Sequence, residues 1–166
     1  MKFVPLHVHS EYSLLDGLSK TSQISKRIAD TESDVCALTD HGTVSGAVDF
    51  YQTLKRNSQT PIMGCELYIC KNGVATDRTP DNKDLLHQVV LAKNFEGWQD
   101  LLSLVSMSNH PDQFYYKPRI DFEQLSEIAG RGNLISFSGH LGSHLANCVL
   151  EDKNAVYEAQ QLKDIF

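Results

Sequence analysis

Residues 34–51, DVCALTDHGTVSGAVDFY, contain a strand pattern, a polar turn and the beginning of a helix pattern in one short stretch. The run from Val35 to Leu38 is continuously apolar, as in strands buried on both faces of a parallel sheet. After His41 and Gly42, apolar residues recur every three or four positions, which is the spacing of one helix face. The stretch therefore predicts a strand–helix unit with polar residues at the carboxyl end of the strand.

Similar units are predicted on both sides of this stretch. A sheet built from alternating strands and helices is typical of α/β folds with parallel strands. Five strands are too few for a closed eight-stranded barrel, so an incomplete or distorted barrel is expected. The other predicted strands are KFVPLHV (2–8), PIMGCELYIC (61–70), HQVVLA (87–92) and NLISFSG (133–139). The other predicted helices begin after a cap at Thr21, after Asn94, near Glu123 and after a cap at Asp152.

The composition is that of an acidic soluble domain. The chain contains 15 lysines and arginines and 21 aspartates and glutamates, which gives a net charge of −6. No basic field for nucleic acid is expected, so metal ions would have to supply positive charge near a phosphate. The four cysteines form no CxxC pair, which favours core thiols in a reducing compartment. No apolar stretch approaches the roughly 20 residues of a membrane span, so the prediction is a cytoplasmic protein without a membrane partner.

Polar residues gather where the predicted strands end, and parallel α/β folds place their chemistry at the carboxyl ends of strands. His7 and His9 lie two residues apart on one strand, so they face the same side about 6.6 Å apart. Two imidazoles at that spacing can converge on one metal ion with bonds of about 2.1 Å. The polar residues at predicted strand ends or within strands are His7, His9, Asp40, His41, Glu66 and His140.

Each of these residues also has an ordinary interpretation. A single histidine is more often a hydrogen-bonded side chain than a ligand, and Asp16-Gly17 alone indicates a turn. Glu66 could be paired with a lysine, while His110 and His144 lie outside the strand ends and are interpreted as structural or surface residues. The gathering favours a metal site, because burying so many polar groups uncompensated would cost about 1–3 kcal/mol each.

The expected metals follow from the donor types. Imidazoles and carboxylates together suit Zn²⁺, Mn²⁺ or Fe²⁺ without choosing among them. The two oxygens of Glu66 could each bind a different ion. Asp40, next to His41, is expected to orient the ring of that histidine, as metal-bound imidazoles usually require.

Five segments resemble the N-terminal PHP (polymerase and histidinol phosphatase) domain, in the form carried by the alpha subunit of bacterial DNA polymerase III. The resemblance covers nearly the whole chain and implies a distorted (β/α)7 barrel with a metal cluster at the carboxyl ends of its strands. The segments are LHVHSEYSLLDGL (6–18), ALTDHGTVSGAVDFY (37–51), PIMGCELYI (61–69), HQVVLAKNFEGWQDLLSLVS (87–106) and YYKPRIDFEQL (115–125).

The resemblance also implies the site residues. It adds Asp16 and His87 to the set, although His87 precedes its apolar run and so lies near the start of a strand. The implied cofactor is a divalent cluster of up to three ions, zinc or manganese first, magnesium or iron as alternatives. The implied metal ligands, of which the first five are also expected to be catalytic, are His7, His9, Asp16, His41, Glu66, His87 and His140.

The resemblance is incomplete at one point. The family's last two ligands, an Asp-x-His pair on a later strand, have no counterpart in this sequence. Residues 1–166 are therefore expected to form a single, C-terminally truncated PHP domain without the polymerase core. Either a gene split by an insertion or a fragment completed by a second chain would explain this, and the chain alone is not expected to polymerise DNA.

Three functions remain open from the sequence. The first is the PHP portion of a replicative polymerase, partnered by the rest of that polymerase. It would hydrolyse the 3′ primer terminus of DNA as a 3′–5′ exonuclease. The second is a free-standing phosphoesterase of the histidinol phosphatase type, and the third is a non-catalytic scaffold. The segments HSEYSLLDGL and YYKPRID favour the polymerase branch.

Overall fold

The computed structural model describes residues 3–166, which form one four-stranded sheet and six helices. A short 3₁₀ turn, Pro80–Asn82, lies within the polar loop formed by residues 71–84. The strands are Val35–Leu38 (β1), Thr60–Cys70 (β2), Leu85–Ala92 (β3) and Leu134–Phe137 (β4). The helices are Thr21–Asp30 (α1), Ala47–Arg56 (α2), Phe95–Ser108 (α3), Phe122–Ala129 (α4), His144–Leu150 (α5) and Ala155–Ile165 (α6).

The sheet is mixed, with strand order β1-β2-β3-β4. The α/β class is confirmed, but the prediction of an all-parallel sheet is wrong. Only β1 and β2 run parallel, whereas β2–β3 and β3–β4 are antiparallel. A parallel neighbour needs a crossover, usually through one helix. Here β2 and β3 are joined by a polar loop, and β3 and β4 are joined by two helices instead of one.

The predicted first strand is an extended segment without a regular ladder, and its first residue, Lys2, lies outside the described residues. The segment still runs beside β1, because the carbonyls of Pro5 and Val8 accept hydrogen bonds from Ala37 and Thr39 at 2.9 Å. Proline has no N–H to donate. The N–H of Val8 donates to the Thr39 hydroxyl instead of a backbone carbonyl.

Two apolar clusters hold the sheet between helices. One contains Ile24 and Ile28 of α1, Cys36 and Leu38 of β1, and Phe50 and Leu54 of α2. The larger cluster joins β2, β3 and β4 to α3 and α4, with Leu67, Val90, Leu101, Leu104 and Leu125 among its members. Fully burying each such side chain contributes about 1.5–3 kcal/mol. The strands that carry the polar site are therefore fixed from both faces.

Helix ends differ from the sequence prediction at two places. Thr21 is the first residue of α1 instead of its cap, and its hydroxyl donates to Asp49 of α2 at 2.6 Å. The last helix is capped by Asn154, not by Asp152, through a bond from the Tyr157 N–H to the Asn154 side chain. The preceding short helix α5 was not predicted.

Two compositional predictions can be compared with the structure. All four cysteines are buried and carry free thiols, as expected for core residues. Among the described residues, no helix combines the length and apolar character needed to cross a membrane.

Candidate metal centre

The centre of the site is the carboxylate of Glu66, which is fully buried in the middle of β2. One oxygen, Oε2, lies 2.5 Å from Nε2 of His7 and 3.1 Å from Nε2 of His9. The other oxygen, Oε1, lies 2.7 Å from Nδ1 of His87 and 2.7 Å from Nε2 of His140. One carboxylate is thus shared by four imidazoles that come from four different parts of the chain.

The backbone explains how His41 and His87 reach Glu66. Just beyond the parallel β1–β2 ladder, His41 forms an isolated bridge with Glu66, and the Gly42 N–H donates to the Glu66 carbonyl at 2.9 Å. On the other side, His87 pairs with Tyr68 across the antiparallel β2–β3 ladder. Because side chains alternate along a strand, residues 66 and 68 share a face, and His87 is a diagonal neighbour of Glu66 on it.

Asp16 joins the site through His41. Its Oδ2 lies 2.9 Å from Nε2 of His41, and the His41 ring stacks on His9 with centroids 4.2 Å apart. The turn predicted at Asp16-Gly17 is tight, since a Cβ at Gly17 would lie 1.8 Å from the carbonyl oxygen of Ser10. Only glycine permits this close approach, which folds the segment back so that Asp16 faces His41.

Asp40 has a different role from the predicted one. Its fully buried carboxylate does not orient the His41 ring; it accepts bonds from Ser10 N (2.6 Å), Ser10 Oγ (2.8 Å) and Ser13 Oγ (2.7 Å). Ser13 Oγ in turn accepts from the His41 N–H at 3.1 Å. Asp40 therefore fastens the loop after His9 to the end of β1. Sequence reasoning did not identify these two serines, because small polar residues in a loop carry no distinctive pattern.

His140 lies in the loop after β4 and is the most exposed imidazole around Glu66, with 43% of its side chain accessible. The loop reaches back because Gly139 adopts a positive φ of 78°, which glycine tolerates at little cost. Its Nε2 lies 3.2 Å from Nδ1 of His87. The structure thus brings all seven sequence-predicted ligand positions together, His87 and His140 included.

The electrostatics of the site follow from burial and close contacts. Burial opposes ionisation of Glu66, but bonds from His87, His9 and His7 outweigh it and hold its pKa well below its usual range. At His41 burial outweighs the attraction of Glu66 and Asp16, so the pKa of this imidazole is lowered. At His9 the adjacent Glu66 outweighs burial and raises the pKa. Glu66 is therefore ionised, and the pKa values of the neighbouring His9 and His41 shift in opposite directions.

Two ring nitrogens in the site make no hydrogen bond to any described residue, although Nδ1 of His41 lies 3.7 Å from Oε2 of Glu66. The Nδ1 atoms of His9 and His41 are buried and accept or donate no hydrogen bond within the described part of the chain. An unpaired buried polar atom costs about 1–3 kcal/mol, and a metal ion removes that cost by taking the lone pair. Three overlapping sets of three side chains could each hold an ion: His7–His9–Glu66, His9–Asp16–His41 and His41–Glu66–His87.

An open cleft of about 840 Å³ lies beside these residues. Tyr68 forms part of its wall, stacked on His41 with centroids 5.7 Å apart. The ammonium of Lys117 lies over the Tyr68 ring, 4.4 Å from its centroid and 3.3 Å from its hydroxyl. Tyr12 and Tyr116 also line the cleft. Sequence reasoning did not single out these residues, since nothing in their spacing brings them to the histidines.

Together, this fold and site define an α/β protein built around a histidine-rich centre that could hold divalent metal ions. Residues 5–166 match the model of the PHP domain, and the chain belongs to that family. The resemblance drawn from the sequence motifs is thereby confirmed.

The curated relatives are much longer than this chain. The DNA polymerase III subunit alpha of Chlamydia muridarum is 37% identical over 158 residues, covering 94% of this chain and 12% of the relative. That of Thermus aquaticus is 37% identical over 169 residues, covering 99% of this chain and 14% of the relative. Among solved structures, an amidohydrolase from Chromobacterium violaceum aligns with 63% of this chain and 34% of its own, at 21% identity and a TM-score of 0.45.

Proposed function

We propose that residues 1–166 belong to the PHP portion of a replicative DNA polymerase III alpha subunit, and that the site around Glu66 hydrolyses phosphodiesters. The observation that carries the proposal is the fully buried Glu66 carboxylate with four imidazoles within 3.1 Å of its oxygens. Imidazoles and carboxylates gathered in this way are the ligand types that divalent transition metals prefer. Similarity to long polymerase chains supports the rest of the polymerase as the partner.

The donor set fits a divalent metal cluster. Five imidazoles and two carboxylates converge, and the buried Nδ1 atoms of His9 and His41, which make no hydrogen bond to any described residue, could bind metal. Neutral imidazole suits zinc, and the carboxylates Asp16 and Glu66 suit manganese equally well. Glu66, whose two oxygens each contact imidazoles, would hold the ions together with those rings, and up to three ions are proposed. Magnesium and iron are the alternatives.

The chain's own residues prepare the reaction. Divalent ions supply a water that ionises near neutral pH and offset charge on the phosphate and the leaving oxygen. Asp16 fixes the ring of His41 through the 2.9 Å contact. Asp40 holds the loop that carries His9 and Asp16, through Ser10 and Ser13. In this proposal His7, His9, Asp16, His41 and Glu66 are the catalytic residues, because they would hold the ions that act on the phosphate.

The cleft beside the centre supports a nucleic-acid substrate. Tyr116 is 74% exposed and the partly exposed Tyr12 lines the same cleft, so both offer aromatic surface on which unpaired bases can stack. The Lys117 ammonium lies at the Tyr68 ring and can neutralise a backbone phosphate. A small phosphate monoester has at most one ring to place against these aromatic surfaces, whereas a nucleic-acid strand presents successive bases. The proposed substrate is therefore the 3′ terminus of a DNA primer.

The test compares two substrates on the full chain loaded with Mn²⁺ or Zn²⁺. A 3′-mismatched primer should be shortened much faster than p-nitrophenyl phosphate is hydrolysed, and His9→Ala should abolish the activity. Lys117→Ala should raise KM for the primer and leave monoester hydrolysis unchanged. Faster cleavage of the monoester would instead support a histidinol-phosphatase-type enzyme. Metal binding with no hydrolysis of either substrate would support a non-catalytic scaffold.

A further inference from the structure

A second group of metal-binding side chains lies away from Glu66, between α5 and α6. His144 and Cys148 are four residues apart on α5 and so share one face of the helix. Glu158 approaches them from α6, and the ligand atoms of all three lie within 4.8 Å of one another. None of the three contributes to the site around Glu66, and sequence reasoning interpreted His144 as structural or surface.

The contacts do not form a catalytic triad. Nε2 of His144 lies 2.9 Å from Oε2 of Glu158 and 3.7 Å from Sγ of Cys148. A triad needs the base to face its nucleophile with one ring nitrogen and its orienting carboxylate with the other. Here the same nitrogen faces both groups. It carries at most one proton, so it cannot donate to the carboxylate and accept from the thiol at once.

We propose that His144, Cys148 and Glu158 form a zinc site. In a tetrahedral zinc site with ordinary bond lengths, a thiolate and an imidazole nitrogen lie about 3.6 Å apart, and a nitrogen and a carboxylate oxygen lie about 3.4 Å apart. The observed separations are 3.7 Å and 2.9 Å. The separation of Nε2 of His144 from the Glu158 oxygen would have to lengthen by about half an ångström. One sulfur and one nitrogen ligand favour zinc over magnesium or calcium.

The surroundings suit such a site. Cys148 is 2% exposed, which shields its sulfur from solvent, and a bound metal would displace the thiol proton. The Phe122 ring packs edge-on against His144, with centroids 5.0 Å apart, and fixes the imidazole. A small cavity of about 180 Å³ borders His144 and Glu158. It leaves room for a water or another small ligand at the fourth position.

The site would attach α6 to the domain. None of the residues of α6, all of which the structure describes, is buried, and Val156 and Tyr157 are 81% and 57% exposed. Helices in proteins are stabilised mainly by a packed apolar face, and that of α6 is only partly covered, with Ile165 packed against the larger apolar cluster. A metal bound by α5 and α6 together would add to this attachment.

Cobalt is the probe that separates this site from the one around Glu66, because only a thiolate ligand gives Co²⁺ an intense near-ultraviolet charge-transfer band. The full chain titrated with Co²⁺ should develop this band. Cys148→Ala should abolish it, and Glu158→Gln, a change on the weakly packed α6, should weaken Co²⁺ affinity at this site by about tenfold or more. Circular dichroism establishes that each variant is folded.

Two controls make the result decisive. Cys65→Ala removes the fully buried thiol nearest the Glu66 centre, whose Sγ donates to the Asp40 carbonyl. His9→Ala disables the Glu66 centre itself. The band should survive both changes. Absence of the band from the wild-type chain at saturating Co²⁺, its persistence in Cys148→Ala, or its loss in Cys65→Ala would overturn the proposal.

Discussion

Nδ1 of His87 lies 2.7 Å from Oε1 of Glu66, although the two residues belong to strands that run in opposite directions. The contact is a diagonal pair on one face of an antiparallel ladder. Both side chains are therefore positioned by regular backbone hydrogen bonds, whereas His7, His9 and His140 come from segments without such a ladder. The β2–β3 pair is the rigid part of the centre, and the loops bring the other ligands to it.

Replacing Glu66 by glutamine should weaken divalent metal binding by about tenfold or more, because a neutral amide cannot offset the charge of two ions. Competition with a chromophoric chelator measures the affinity for Zn²⁺. Glu123→Gln changes an exposed carboxylate in the first turn of α4 and is the matched control. Equal Zn²⁺ affinities of the wild-type chain and Glu66→Gln would remove Glu66 from the centre.

Asp40→Asn should act on both stability and metal affinity. The amide group presents a donor where three donors from Ser10 and Ser13 converge, so the free energy of unfolding should fall by about 1–3 kcal/mol. Metal affinity should fall about 10- to 100-fold, as when a group supporting the ligands is lost. Urea unfolding and chelator competition measure the two effects. Asp30→Asn, at an exposed position in α1, should change neither the free energy of unfolding nor the metal affinity. Unchanged metal affinity in Asp40→Asn would show that Asp40 is not needed to position the loop.

Arg119 is fully buried and donates to three backbone carbonyls, those of Gln113 (2.9 Å), Asn82 (2.7 Å) and Asp77 (2.5 Å). A lysine cannot reproduce this planar fork. Arg119→Lys should therefore lower the free energy of unfolding by about 3 kcal/mol or more. Arg27→Lys, at an exposed position, should change it by less than about 0.5 kcal/mol. Similar urea midpoints for the two variants would mean that the loop at residues 71–84 does not depend on Arg119.

Glu151 provides a prediction about pH. Hydrogen bonds from Lys153 and Lys71 lower its pKa from 4.5 to about 2. Because the folded-state pKa is the lower one, its contribution to stability is present above the ordinary pKa and is lost as the pH falls towards 2. Glu151→Gln should thus lower the melting temperature slightly at neutral pH, and the difference from the wild-type chain should vanish near pH 2. Exposed Glu127→Gln should show no such dependence; a difference that grows on acidification would contradict the assignment.

Much of the fold and site could be predicted from the sequence. The apolar run Val35–Leu38 predicts β1, and the structure has a strand there. Asn94 is the predicted start of α3, and its side chain accepts a hydrogen bond from the Gly97 N–H at 2.8 Å. Strand direction could not be predicted, because apolar periodicity is the same in parallel and antiparallel strands. In a parallel sheet, the start of a strand lies at the edge opposite the site, so His87 is not expected there. Because β3 is antiparallel to β2, the start of β3 instead lies beside Glu66.

The remaining differences have local causes. Val48, Tyr51 and Val156 fit the apolar spacing of helices but are exposed, since periodicity does not reveal how wide the covering sheet is. The bonds of Asp40 to Ser10 and Ser13 depend on a loop geometry that no pattern of residue types encodes. The same holds for Glu158, which meets His144 only because α5 and α6 fold against each other.

The most direct test of the central claim is the metal content of the purified chain, measured by inductively coupled plasma mass spectrometry after loading with Zn²⁺ or Mn²⁺ and gel filtration. The Cys148→Ala chain is used, so that only the centre around Glu66 can retain metal. If the residues around Glu66 bind metal, the Cys148→Ala chain should retain at least one ion per chain, and it should lose most of that metal when His9→Ala is added. A metal-free Cys148→Ala chain, or a metal content unchanged by His9→Ala, would contradict that claim.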